Sequence, residues 1–191
     1  LPLMVHFTTQ AEPAYCGLSS LVMVLNSFQI DPYRIWKAPW RFWTEQFLDC
    51  CRPLESIKES GITLGEFACL ASCQRLEVEL YQPVQSKKLK FSQVITVNHF
   101  RNLIEEYCSA NDLKAKGYLV VSYSRRTLLQ TGDGHFSPVA AYDKETDSVL
   151  ILDVARFKYP PYFVSVPLLY EAMLPLDSVT GESRGLVVLR P

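Results

Sequence analysis

No stretch of this chain carries a dense run of Lys or Arg, and 19 basic against 20 acidic residues leave a formal net charge of -1. General nucleic-acid binding needs a concentrated positive footprint, so nucleic acid is excluded as an expected partner. Long apolar runs are missing too. Stretches such as Leu21–Leu25 fall far short of the ~20 residues that span a bilayer, and no membrane partner is expected. No initiator Met and no basic-then-apolar leader stand at Leu1-Pro2-Leu3, so the chain reads as a processed form or an excised piece. Internal repeats and low-complexity segments are absent. The six cysteines include no C-x2-C pair of the kind structural zinc sites favour. The Gly-x-Gly at Gly132–Gly134 precedes a strand pattern and lacks the Lys-Ser/Thr of a phosphate loop. Its glycines are expected to let the chain approach a ligand closely.

What is present suits one substantial core. With 191 residues and 48% hydrophobic content, a single domain over 1–191 is expected. A core of that size needs no disulfide staples, which points to reduced thiols and a cytoplasmic setting. Leu18, Leu21, Val22, Leu25 and Phe28 recur at helical spacing and predict a buried helix starting near Cys16. Further helices are predicted over Thr44–Cys51, from Leu54 to the break at Gly61, over Thr63–Cys73 with Glu66 in capping-box spacing, and over Val97–Cys108. Glu77–Tyr81 and Gly117–Tyr123 read as strands, and Gln85–Lys90 as a solvated loop. A hairpin pattern runs from His135 through the polar turn Asp143–Asp147 to Asp153.

Cys16 in the first turn of a helix would be favoured as thiolate by the unpaired N–H groups and the positive end of the dipole. Gly17 leaves room for a substrate backbone, and Gln10 offers a neutral donor for an oxyanion, together with the Cys16 N–H. The competing reading of Cys16 is a small buried hydrophobe. If the hairpin turn is centred near Glu145, His135 and Asp153 become diagonal neighbours on one face, and half a residue of shift would separate them. Together with Cys16 they would form a thiol–imidazole–carboxylate triad; otherwise they are a loop histidine and a strand-end hydrogen-bonder. Cys69 and Cys73 share a helical face and with Cys50 and Cys51 are candidate soft-metal ligands, or else packing thiols.

The phrases Gln10-x-Glu-Pro-Ala-Tyr-Cys16-Gly, Leu48-Asp-Cys-Cys-x-Pro-Leu-Glu55, Phe67-x-Cys-Leu-Ala-x-Cys73, Gln130-Thr-Gly-x-Gly-His-Phe-Ser-Pro138, Leu150-Ile-Leu-Asp-Val-Ala-Arg-Phe-Lys-Tyr-Pro-Pro161 and Thr180-Gly-x-x-Arg-Gly185 resemble the phytochelatin synthase family in order and across nearly the whole chain. The resemblance implies an α+β, papain-like cysteine peptidase fold, with an N-terminal helical lobe carrying the nucleophile and a C-terminal antiparallel sheet carrying His and Asp. It implies Cys16 as nucleophile, His135 as general acid/base, Asp153 as its orienter and Gln10 as oxyanion donor. The implied reaction transfers a γ-glutamyl-cysteinyl group from one glutathione to another to give (γ-Glu-Cys)n-Gly, in heavy-metal detoxification. Hydrolysis of glutathione or its S-conjugates and metal sequestration by thiols are the alternatives.

For the substrate, the resemblance places contacts at Asp177 and Arg184. These are the complementary pair for the free α-amino and α-carboxylate of a γ-linked glutamate, or else a local ion pair bracing a turn. Arg156 binds a carboxylate or braces its loop. No tightly bound cofactor is expected; a heavy-metal ion (Cd²⁺ or Zn²⁺) enters as a glutathione thiolate complex in the acceptor substrate. The partners are then glutathione and its metal–thiolate complexes, with a homodimer left open. Two departures from the family pattern are Ala140-Ala141 in place of a Gly pair, and an end at Gly185–Pro191 without the Cys-rich region of larger forms.

Overall fold

A computed structural model describes residues 2–83, 91–108 and 116–191. The helices are α1 (Pro2–Val5), α2 (Cys16–Ser27), α3 (Leu54–Ser60), α4 (Leu64–Cys73), α5 (Val97–Cys108) and α6 (Val166–Met173). The strands are β1 (Glu77–Pro83), β2 (Gln93–Ile95), β3 (Tyr118–Ser124), β4 (Gly134–Asp143), β5 (Ser148–Ile151), β6 (Tyr162–Ser165) and β7 (Gly185–Arg190). They form one sheet in the order β2-β1-β7-β3-β4-β5-β6, antiparallel except for the β1–β2 pair. The α+β architecture with an N-terminal helical lobe is as expected.

Strand alternation divides the core in two. On β3, Tyr118 and Val120 face α2 and α4, while Leu119, Val121 and Tyr123 face α5 and α6. On β7, Val187 and Leu189 share the first face, and Leu186 and Val188 the second. Both faces of the central strands are therefore covered. α2 is buried from Gly17 to Asn26, wider than an amphipathic stripe, because it packs between the sheet and the other N-terminal helices. α4 begins with a complete capping box: Thr63 Oγ1 accepts from the Glu66 N–H, and Glu66 accepts from the Thr63 N–H. Its Phe67 stacks on Phe136 of β4 at 5.1 Å between centroids.

Two expectations are corrected. Thr44–Cys51 is not a helix but a single 3-10 turn at Glu45–Phe47. Asn26 bonds both backbone groups of Trp43, holding the approach to the turn extended. The expectation of reduced thiols fails at one pair: Cys51 and Cys69 form a disulfide with Cα atoms 6.3 Å apart, a tertiary proximity that spacing along the chain does not show. The expected loop at Gln85–Lys90 lies outside the described residues. Among the described residues, no helix is long and apolar enough to cross a membrane.

The β4–β5 hairpin holds the decisive register. Near the turn Asp143 pairs with Ser148 and Ala141 with Leu150, but Val139 pairs with Ile151. Ala140 is thus one extra residue on β4, a β-bulge. The register at the turn, extended unchanged, would put His135 and Asp153 on opposite faces; the bulge brings them back into phase.

Replacing Phe67 with Ala should lower unfolding free energy by about 3–5 kcal/mol, since a fully buried ring that joins α4 to β4 is lost. Chemical denaturation monitored by circular dichroism checks this.

Candidate active site

Cys16 is the first residue of α2, and no side chain caps that helix. Its thiol neighbours His135 and the backbone N–H groups of Phe136 and Gly17, all of which favour its ionised form. Burial opposes ionisation, yet the charge and hydrogen bond of His135 outweigh it, and the Cys16 thiol lies below its ordinary range. His135 moves the opposite way: burial would lower it, but Cys16 and Asp153 hold it above its usual value. These opposite directions favour passing the thiol proton to the imidazole.

His135 Nε2 lies 2.8 Å from Asp153 Oδ1, which leaves Nδ1 for the thiol. Asp153 sits just beyond β5 with no exposed surface. Burying a lone carboxylate costs several kcal/mol, so its partners matter. Burial pushes it up, but hydrogen bonds from His135 and Arg125 bring it down to about 2. Arg125 donates to both oxygens, Nη1 to Oδ2 at 2.8 Å and Nη2 to Oδ1 at 3.0 Å, and the Ala155 N–H adds a further bond at 2.9 Å. Arg125 escaped the sequence analysis. It follows an apolar strand as one of two adjacent arginines, and nothing in the sequence distinguishes it from Arg126.

Cys16 and His135 open on a cleft of about 420 Å³ whose lining also includes Gln10, Ile62, Lys158, Asp177 and Arg184. Gln10 is held there by its N–H to Val154 O at 3.0 Å, and the next residue's N–H bonds Glu45. Glu45 also bonds Ser19 of α2. The Gln10 amide, however, is spent: Nε2 donates to the carbonyls of Glu12 at 2.9 Å and Pro13 at 2.7 Å, leaving Oε1 buried and unpaired. An oxyanion role would require one of those N–H groups to leave its carbonyl.

Asp177 and Arg184 lie side by side, with Arg184 Nη1 3.8 Å from Asp177 Oδ2 and Nη2 3.4 Å from Asp133 Oδ1. Arg184 is buried and its Nε has no partner. Gly134 makes room for it, since a Cβ there would sit 2.4 Å from Nη1. The expected use of Gly17 is likewise corrected: a Cβ would strike Ile62 Cδ1 at 2.4 Å, so its space serves a protein side chain. Arg156 is not brought to the cleft; its guanidinium stacks on Phe7 at 4.8 Å, and Lys158 lines the cleft instead. The sulfur atoms of Cys50, Cys51 and Cys73 gather within 4.8 Å of one another away from the cleft lining.

Comparison with known proteins identifies similar chains. The family described as phytochelatin synthase matches residues 1–186. Glutathione gamma-glutamylcysteinyltransferase 3 of Lotus japonicus is 48% identical over 98% of this chain and 36% of its own length. Glutathione gamma-glutamylcysteinyltransferase 1 of Arabidopsis thaliana is 46% identical over the same shares, and the Schizosaccharomyces pombe protein of that name 43% identical over 97% and 42%. The chain therefore spans well under half the length of these curated relatives. Among solved structures, the peptidase domain of Streptococcus ComA superposes with TM-score 0.52 at 14% identity, covering 96% of both chains. A double glycine motif protease from an AMS/PCAT transporter, solved with its leader peptide, gives TM-score 0.52 at 13% identity over 96% of this chain and 89% of its own. These structures share the papain-like cysteine peptidase fold.

The pH dependence of Cys16 alkylation by iodoacetamide should extend below the ordinary thiol range, and His135→Ala should move it upward. Arg125→Gln removes a cation beside the imidazolium, so the His135 limb should shift to higher pH, with stability lower by about 3–5 kcal/mol. An unmoved His135 limb would assign Arg125 to packing alone. Asp153, depressed from 3.8 to about 2, contributes stability that is full above pH ~4 and lost as pH falls through ~2. Asp153→Asn should flatten that part of an acid-unfolding curve.

Proposed function

The chain belongs to the phytochelatin synthase family, and from that membership we propose that it is a single catalytic domain transferring γ-glutamyl-cysteinyl groups between glutathione molecules. The observation that carries the proposal is one cleft lined both by Cys16 and His135, the latter backed by buried Asp153, and by the Asp177–Arg184 pair. The first can form an acyl-enzyme, and the second matches a γ-linked glutamate, with Asp177 facing its α-ammonium and Arg184 its α-carboxylate.

Cys16 Sγ attacks the carbonyl of the cysteinyl residue of glutathione. His135, which takes the thiol proton, passes it to the departing glycine nitrogen, and a γ-Glu-Cys thioester remains on Cys16. A second glutathione then presents its α-amino group. Neutral His135 takes a proton from that nitrogen as it attacks the thioester, and Cys16 leaves as thiolate. The product is (γ-Glu-Cys)2-Gly, and repetition lengthens it. Asp153 keeps Nε2 protonated and Nδ1 facing the thiol throughout. No resident metal or cofactor enters these steps; a heavy-metal ion takes part as the thiolate complex of the acceptor glutathione. If water replaces the second glutathione, the same residues release γ-Glu-Cys, and the protein is a hydrolase.

Mass spectrometry of glutathione incubated with this chain and Cd²⁺ should show γ-Glu-Cys oligomers that Cys16→Ser does not make. γ-Glu-Cys and glycine alone would assign the hydrolase, and unchanged glutathione would sink both. Arg184→Gln should raise KM for glutathione by about 10- to 100-fold, the loss of a charge-assisted contact of ~1.5–3 kcal/mol.

A further inference from the structure

The four cysteines of the α3–α4 edge are not used by the chemistry at Cys16. Cys50 and Cys51 lie in the loop before α3, and Cys69 and Cys73 lie one turn apart on α4. The loop is pinned by Arg52, which bonds Glu66, the Gly61 carbonyl and Ser60. Cys51 is bonded to Cys69, and its sulfur is also 3.5 Å from Cys73 Sγ and 3.8 Å from Cys50 Sγ. Cys50 and Cys73 are free and exposed.

A structural staple would need only two of these sulfurs. α4 is already held by its capping box, by the Arg52–Glu66 ion pair and by the buried Phe67. The extra pair flanks Cys51 at a spacing close to that of metal ligands. Thiolates bound tetrahedrally at ~2.3 Å lie about 3.8 Å apart, and Cys51 Sγ is 3.8 Å from Cys50 Sγ and 3.5 Å from Cys73 Sγ.

We propose that this cluster is a redox-gated site for a soft divalent metal ion: the Cys51–Cys69 disulfide closes it, and reduction opens it. Closed, it offers two free sulfurs, Cys50 and Cys73. Reduction takes two molecules of a small monothiol. The first thiolate attacks one sulfur of the disulfide, forming a mixed disulfide and releasing the other cysteine as thiolate. The second displaces the reduced cysteine and leaves as the symmetrical small-molecule disulfide. The protein gains two electrons and two protons. Cys51 then joins Cys50 and Cys73 as a third ligand, with Cys69 available as a fourth, and the ion displaces the thiol protons on binding. Thiolate ligands select Cd²⁺ or Zn²⁺ over hard cations such as Mg²⁺ and Ca²⁺.

The test uses Cys16→Ser protein, so that the nucleophile contributes no sulfur, in reduced and oxidised forms separated by thiol titration. CdCl2 is added while the thiolate-to-cadmium charge-transfer absorption is followed, with isothermal titration calorimetry for stoichiometry. The reduced form should bind one Cd²⁺ with that absorption, and the oxidised form at least about 10- to 100-fold more weakly, since losing a direct ligand costs no less than losing an outer-shell partner. Cys50→Ser and Cys73→Ser, both surface changes, should each weaken binding to the reduced form by a similar factor, and Cys108→Ala should not. Equal affinity of the two redox forms would overturn the gating. Binding unaffected by Cys50→Ser and Cys73→Ser would overturn the site. Neither readout depends on transferase activity, so a failed activity assay and a failed metal titration remain distinguishable.

Discussion

The buried carboxylate of Asp153 is the constraint around which the rest of the structure is arranged. An anion without solvent must be surrounded by donors, and the fold supplies them from three places: His135 at the start of β4, Arg125 just past β3, and the Ala155 backbone beyond Asp153 itself. Each of these holds the site only if the strands that carry it keep their register. β3 pairs with β4 from Leu119 opposite Val139 to Ser124 opposite Gly134, which brings the loop bearing Arg125 beside His135. The requirement to neutralise one buried charge thus ties together three consecutive strands. The same arrangement sets the pH behaviour of the thiol across the cleft.

Arg125 and Arg184 show two uses of a buried guanidinium. Arg125 is heavily engaged: Asp153 takes two of its bonds, and Gln130 Oε1 accepts another at 2.6 Å. A side chain so engaged positions others and has little left to offer a ligand. Arg184 is underused, with two longer ion pairs and an unpartnered Nε. Unspent donors facing a cleft are where a carboxylate gains most, because their desolvation has already been met by the fold.

Much of this was legible in the sequence, and the failures share a physical origin. Periodicity located α2 and α5, the Thr63–Glu66 spacing announced the cap of α4, and the motifs around Cys16, His135 and Asp153 brought forward three residues that the fold places together. These signals are local. What stayed hidden depends on distant partners: Arg125 because its role exists only beside Asp153, the disulfide because Cys51 and Cys69 meet only after the loop folds onto α4, and the short turn at Glu45–Phe47 because Asn26 holds its approach. Gln10 lies between these cases. Its position at the cleft was readable, whereas the two carbonyls that occupy its amide were not.

The bulge at Ala140 has a consequence for how such a protein tolerates insertion and deletion. The chemistry of that side chain is nearly irrelevant; what matters is that the residue is counted. Its presence changes the parity of the hairpin, so that the tip and the end bearing His135 follow different pairing rules. Losing that single position would close the bulge and leave Val139 opposite Ile151 and Ala141 opposite Leu150, with His135 and Asp153 still on one face. The bulge is therefore a place where β4 can hold or shed one residue while the carboxylate and the imidazole still meet.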